Sequence, residues 1–240
     1  MTRTRTASGG FSLVECLIAL AVGMTVLSAI YMAVWSGQRS STGIDRKITT
    51  AQDARAALEV MAMEMRMASY NPLYSSNPWT DLASCNAGDA TRRGIQNAAS
   101  DAIQIQMDLS GSGSCGDAAN EVIVYAYDAV NQRVTRETWT CAGTPASGGA
   151  QSFLGGTAAE VKTVRVVNTT DAVSIPLFRY YDSAGTDITA SLPGAISQIR
   201  RIEITLAVDS ENTDPSLGGS QRRRMIYSTS VVPRNHAIQF

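Results

Sequence analysis

The sequence predicts an α+β protein in which one long N-terminal helix lies against an antiparallel β-sheet with long loops. Three observations carry this. An apolar run of 25 residues, Phe11 to Trp35, holds one charged side chain, Glu15. Apolar positions then step by three and four residues from Ile44 to Ala68, the period of a helix with one buried face. Beyond Pro72 and Pro78, short runs alternate apolar and polar residues between clusters of Gly, Ser, Asn and Asp, which is how half-buried antiparallel strands read.

The first element is long enough to cross a bilayer, for which about 20 apolar residues suffice. An ionised carboxylate there is costly and calls for a partner, yet the run contains no Lys or Arg. The partner of Glu15 is therefore expected outside the chain or at a processed amino terminus. Arg3, Arg5 and the small residues Ala19 to Ala21 resemble a secretory signal, but the run continues 14 residues past Ala21 and is too long for one. Gly37 and Gly43 flank a polar stretch where the helix is expected to loosen.

From Ile44, the stripe Ile44, Ile48, Ala51, Ala54, Leu58, Met61, Met65 and Ala68 should face a domain, leaving Asp45, Arg46, Asp53, Arg55, Glu59 and Arg66 solvated. Met61, Met63, Met65 and Met67 read as core filling. Residues 71–100 read as turn-rich and irregular. Strands are expected at 102–107, 121–127 and 133–140 as a meander, then near 161–167, 175–181, 199–208 and 224–232. The clearest core face among them is Ile202, Ile204, Leu206 and Val208.

The charge balance is even, 20 basic against 21 acidic residues, so no overall excess draws the chain to nucleic acid. Arg222, Arg223 and Arg224 alternate faces in a strand and do not make a patch by themselves. With one histidine, His236, near the end, neither a Ser-His-Asp triad nor a histidine-rich metal site is readily built; it reads as a terminal surface residue. No acid, base and nucleophile set emerges and no cofactor is expected. The literal G-x-G-x-x-G at 111–116 precedes a strand, not a helix, so it reads as a Gly-rich loop around Cys115. Asn168 opens a formal glycosylation sequon. Asp209, Glu211 and Asp214 form a weak calcium candidate in a loop. Beyond the apolar run lie Cys85, Cys115 and Cys141, so at most one pair forms, in an oxidising compartment.

The run Gly10-Phe11-Ser12-Leu13-Val14-Glu15 at the head of an apolar helix resembles a type IV prepilin. The resemblance implies cleavage between Gly10 and Phe11 by a membrane-embedded prepilin peptidase and N-methylation of Phe11. It also implies a subunit-assembly role for Glu15, which meets the amine of a neighbouring subunit. Two stretches are similar to PilW-like minor pilins. One is the helix ending Arg66-Met67-Ala68-Ser69-Tyr70, where Ser69 replaces the usual Gly. The other is the terminal "STSVVPRN", similar to PilW and pseudopilin J ends, with Pro233 where Leu is commoner.

Taken together these imply the type IV pilin fold, with a leader at 1–10, a transmembrane and filament-core helix at 11–35, an amphipathic helix at 36–70 and a periplasmic β-rich domain at 71–240. The implied function is that of a non-enzymatic minor pilin that starts pilus assembly at or near the tip. Its implied partners are other minor pilins, the major pilin, the inner-membrane assembly platform and a tip adhesin. The alternatives are a minor pseudopilin of a type II secretion system and a membrane-anchored periplasmic protein that binds DNA or an adhesin. In an up-down-up meander, the Cys115 loop and the strand end at Cys141 emerge together, and PilW-like proteins place two cysteines similarly. A Cys115 to Cys141 disulfide is expected, with Cys85 able to capture either one.

Overall fold

The computed structural model describes residues 10–141, 143–156, 164–169, 174–210, 213 and 221–237. The chain divides into two compact units, residues 1–45 and 46–240.

In the first unit, helix α1 (Leu13–Met67) begins where Ser12 caps it. The Glu15 N–H donates to Ser12 Oγ at 3.2 Å. Ser12 and Glu15 thus hold the first and last places of an S-x-x-E capping box, with the carboxylate in the first turn, where the helix dipole favours it. The apolar side chains from Phe11 to Trp35 are exposed, and this part of α1 is long and apolar enough to cross a membrane. Thr25 and Ser28 bond back to the carbonyls of Val22 and Met24 at 2.8 Å each, so their hydroxyls are satisfied inside the helix. α1 stays helical through Gly37 and Gly43, where the sequence suggests a loosening.

In the second unit, α1 buries Thr50, Ala54, Ala57, Leu58, Met61, Ala62 and Met65. The buried face therefore starts later than the sequence stripe implies, since Ile48 is 49% exposed. Only half of the methionine expectation holds. Met61 and Met65 are buried, but Met63 and Met67 are 58% and 37% exposed, because residues two apart on a helix point to opposite sides.

Two antiparallel sheets are formed by the described residues, where the sequence implies one. The first holds β1 (Ile95–Ala98), β2 (Ala102–Gln106), β3 (Val122–Asp128), β4 (Arg133–Cys141) and β5 (Pro145–Ser147) in that order, with β6 (Gln151–Gly155) also paired to β4. Its centre is the expected meander. The second is built on β9 (Arg201–Ser210), with β10 (Arg224–Val231) on one edge. On the other edge lie β8 (Phe178–Tyr181), opposite residues 201–204, and β7 (Val164–Val166), opposite 208–210. Ile202, Ile204, Leu206 and Val208 of β9 are fully buried as expected. Their burial brings about 1.5–3 kcal/mol each. One cluster joins α1 to both sheets through Met61, Met65, Tyr125, Phe178 and Tyr180, with the Phe153 ring edge-on to Tyr125 at 5.3 Å.

The disulfide departs from expectation: Cys141 pairs with Cys85, not Cys115, at a Cα–Cα distance of 5.4 Å. The irregular segment decides this. A turn at Asp81 to Asn86 is held by Asp81 N–H to Asn86 O and Cys85 N–H to Asp81 O bonds, bringing Cys85 to the end of β4. Cys115 is held elsewhere. Its N–H donates to Pro78 O, the Thr80 hydroxyl donates to its carbonyl, and its side chain packs with Trp79 and Val122.

Candidate functional site

At the N-terminus, Gly10 is exposed and a Cβ added there would meet nothing within 4 Å. Packing among the described residues therefore does not require glycine at this position. Phe11 is 82% exposed and lies just before the Ser12 cap. Among the described residues, no hydrogen bond or ion pair takes up the Glu15 carboxylate, whereas its backbone N–H is used by the cap. Cys16 is an exposed free thiol. Sequence reasoning overlooked the Ser12 cap, although the S-x-x-E spacing was there to be read.

In the globular unit, the expected site residues are built into the fold. The glycine-rich loop between β2 and β3 is wound around two fully buried carboxylates. Asp108 accepts from the N–H groups of Gly111, Ser112 and Gly113 at 2.7, 3.1 and 2.9 Å. Glu121 accepts from Leu109, Ser110, Gly116 and Ala118 at 3.0, 2.9, 2.9 and 3.2 Å. The backbone donors that could cradle a phosphate are thus engaged by the chain's own acids. Glycine is required here because Gly111, Gly113 and Gly116 have φ of +70°, +85° and +98°. Burial, and then the charges of Glu121, Asp108 and Asp117, push the Cys115 thiol far up, so it stays protonated and unreactive.

His236 is fully buried, not a surface residue. Its Nδ1 lies 2.9 Å from Ser69 Oγ and its Nε2 lies 3.0 Å from Ile196 O. The carbonyl can only accept, so Nε2 carries the proton. Ser69 Oγ takes the Gly94 N–H at 3.0 Å and is left to donate to Nδ1. Arg93 donates to the His236 carbonyl. Burial, and then the Arg93 and Arg200 charges, lower the imidazole to about 4 against the opposing pull of the Ile196 hydrogen bond. Ser69 sits at φ +66° just past the end of α1, a place that favours glycine. Its hydroxyl connects that helix end to the C-terminal segment. A Cβ at Gly94 would come within 2.5 Å of both Ser69 Cα and Gln106 O.

Other candidates also take structural partners. Asp209 is gripped by Arg224 through two bonds of 2.8 Å, so both its oxygens are committed to a guanidinium. Glu211 and Asp214 lie outside the described residues, and among the described residues no three metal-ligating side chains converge. The Asn168 side chain is buried, donating to Ile175 O and Thr205 O at 3.2 and 2.7 Å and accepting from Ala207 N–H at 3.0 Å; the sequon is a structural bracket. Glu64 on α1, unremarked in the sequence, receives Arg136 through bonds of 3.2 and 2.8 Å and the Tyr125 hydroxyl. Nothing in the local pattern could have announced that pairing across 72 positions.

Residues 5–31 match a family profile described as the prokaryotic N-terminal methylation motif. No curated protein and no solved structure matches the chain. The motif supports a type IV pilin-like protein, pilin or pseudopilin, and such families are structural rather than catalytic. It implies processing by prepilin peptidase and assembly with other pilin-type subunits, and it fits the membrane-length helix it overlaps.

Proposed function

We propose that the chain is a minor pilin of PilW type, which takes part in starting type IV pilus assembly and enters the filament at or near its tip. The observation that carries this is the placement of the methylation motif at the capped head of an exposed apolar helix that runs on into a β-rich unit. In this reading residues 1–10 are the leader, cut between Gly10 and Phe11, and Phe11 is methylated. Residues 11–35 hold the precursor in the inner membrane and later pack in the filament core, 36–70 continue the helix, and 71–240 form the periplasmic domain. Glu15 then meets the Phe11 amine of a neighbouring subunit. Opposite charges attract strongly in low dielectric but pay desolvation, so the pair sets register and docking more than net stability. A subunit that keeps this acid takes a place below the topmost one, which has no earlier amine to meet.

The partners are other minor pilins, the major pilin, the assembly platform and a tip adhesin. Deletion and complementation test the reading. Loss of surface pili with protein secretion intact is expected. Loss of secretion with pili intact would replace it with a type II pseudopilin, and a chain whose N-terminus is never cut would overturn both.

A further inference from the structure

Tyr31, Trp35 and Arg39 are spaced four residues apart on α1, where the apolar run gives way to Ser36, Gly37 and Gln38. Tyr31 and Trp35 are 70% and 48% exposed. The Arg39 guanidinium carbon lies 3.6 Å from the Trp35 ring centroid, since helical side chains lean toward the N-terminus and Arg39 folds back over the indole. From Leu13 to Trp35 a helix rises about 33 Å, slightly more than the roughly 30 Å of a hydrocarbon core. If the head of α1 sits at one face of the membrane, the indole reaches the opposite interface. Tyr31 then lies about 6 Å deeper and Arg39 about 6 Å further out.

We propose that Tyr31, Trp35 and Arg39 form a lipid-headgroup anchor in which the Arg39 guanidinium binds a phospholipid phosphate where α1 leaves the membrane. Stacking uses the flat face of the guanidinium and leaves its N–H edges free, and those edges match a phosphate in bidentate geometry. No acidic residue stands three or four positions from Arg39, so the helix offers no local carboxylate in its place. The amphipathic rings of Tyr31 and Trp35 suit the interfacial zone between apolar chains and headgroups. The ladder fixes the depth of α1, and with it the depth of Glu15 at the other end.

The proposal rests on reading α1 as a membrane helix, and the test separates the two. The full-length chain is reconstituted in phosphatidylglycerol and phosphatidylethanolamine vesicles, and its resistance to alkaline extraction is scored first. Trp35 fluorescence, isolated as the difference between wild type and Trp35→Phe, is then quenched with lipids brominated near the headgroup or near the chain end. Headgroup-proximal quenching should exceed deep quenching by about twofold or more. Arg39→Gln should lower that ratio by about twofold while extraction resistance is kept, and Arg39→Lys should restore part of it. In uncharged glycolipid vesicles, which lack phosphate, wild type and Arg39→Gln should agree. An integrated chain whose Trp35 is quenched best from the chain ends, or not at all, would overturn the anchor. So would a ratio indifferent to Arg39→Gln, or an Arg39→Gln effect that persists in glycolipid. A chain released by alkali would overturn the membrane reading as well.

Discussion

The exposed half of α1 and the globular unit treat carboxylates in opposite ways. In the globular unit, Glu64, Asp108, Glu121 and Asp209 each receive two or more donors from the same chain, near in sequence for Asp108 and far for Glu64. In the apolar helix, the one acid stands in the first turn with only its backbone engaged by Ser12. An acid matched from within serves the fold, because removing its charge strands buried donors. An acid left unmatched at the head of an apolar helix is available to another molecule. The contrast can be broken at either end.

The largest effect is expected at the disulfide. Cys85 and Cys141 lie 56 residues apart, and closing a loop of that size stabilises the fold by about 4 kcal/mol in the chain-entropy account. Cys141→Ser should lower the urea midpoint of the globular unit accordingly, whereas Cys115→Ser should leave the crosslink intact. Peptide mapping of oxidised protein should recover Cys85 linked to Cys141. A peptide linking Cys115 to Cys141 would instead restore the pairing expected from the meander alone.

That reversal shows what sequence patterns carry. β2 and β9 alternate apolar and polar residues, and β3 and β4 are β-branched and aromatic runs on either side of a turn, so all four were legible. β1, β5 and β6 are short, and β1 (Ile-Gln-Asn-Ala) and β5 (Pro-Ala-Ser) carry almost no apolar signal, so only pairing with a neighbour makes them strands. The meander places strand ends correctly but says nothing of the 81–86 turn, and the turn chooses the partner of Cys141. His236 was misjudged by its position near the end of the chain. The available clue was Ser69, a hydroxyl where the resembling helices have glycine. The Asp108 and Glu121 pair had a clue too, in the acids bracketing a run of glycines.

Glu121→Gln comes next. The amide can satisfy at most part of the four N–H groups and turns its own donors toward others, so a loss of about 3 kcal/mol is expected, read by the same denaturant titration. An unchanged midpoint would mean that the loop does not depend on this carboxylate.

His236 should act through pH. Its folded value, about 4, is below the ordinary 6.5, so protons bind the unfolded chain first. The contribution of the neutral ring is complete above 6.5 and is lost as pH falls toward 4. The loss should reach about 2 kcal/mol by pH 5 and about 3 kcal/mol at the limit. His236→Gln should flatten the stability profile between these values, and an equally steep profile in that variant would move the effect elsewhere.

The smallest effect on stability, and the sharpest test of the contrast, is at Glu15. Closing the S-x-x-E box with its side chain would be a purely local role, one the structure does not show made and in which a carboxylate and an amide serve alike. Its proposed role toward a neighbouring subunit needs the charge. Glu15→Gln separates the two, because it keeps a side chain able to close the box and removes only the charge. Ser12→Ala, by comparison, removes the cap itself and should cost the helix start about 1 kcal/mol. Membrane insertion, cleavage after Gly10 and the stability of the globular unit should all be unchanged in Glu15→Gln. Co-purification with partner pilins, and piliation, should fall in Glu15→Gln and in Glu15→Ala alike. If Glu15→Gln assembled as well as wild type while Glu15→Ala did not, the acid would be a helix cap like any other. The unmatched carboxylate would then belong, after all, with the acids that serve the fold.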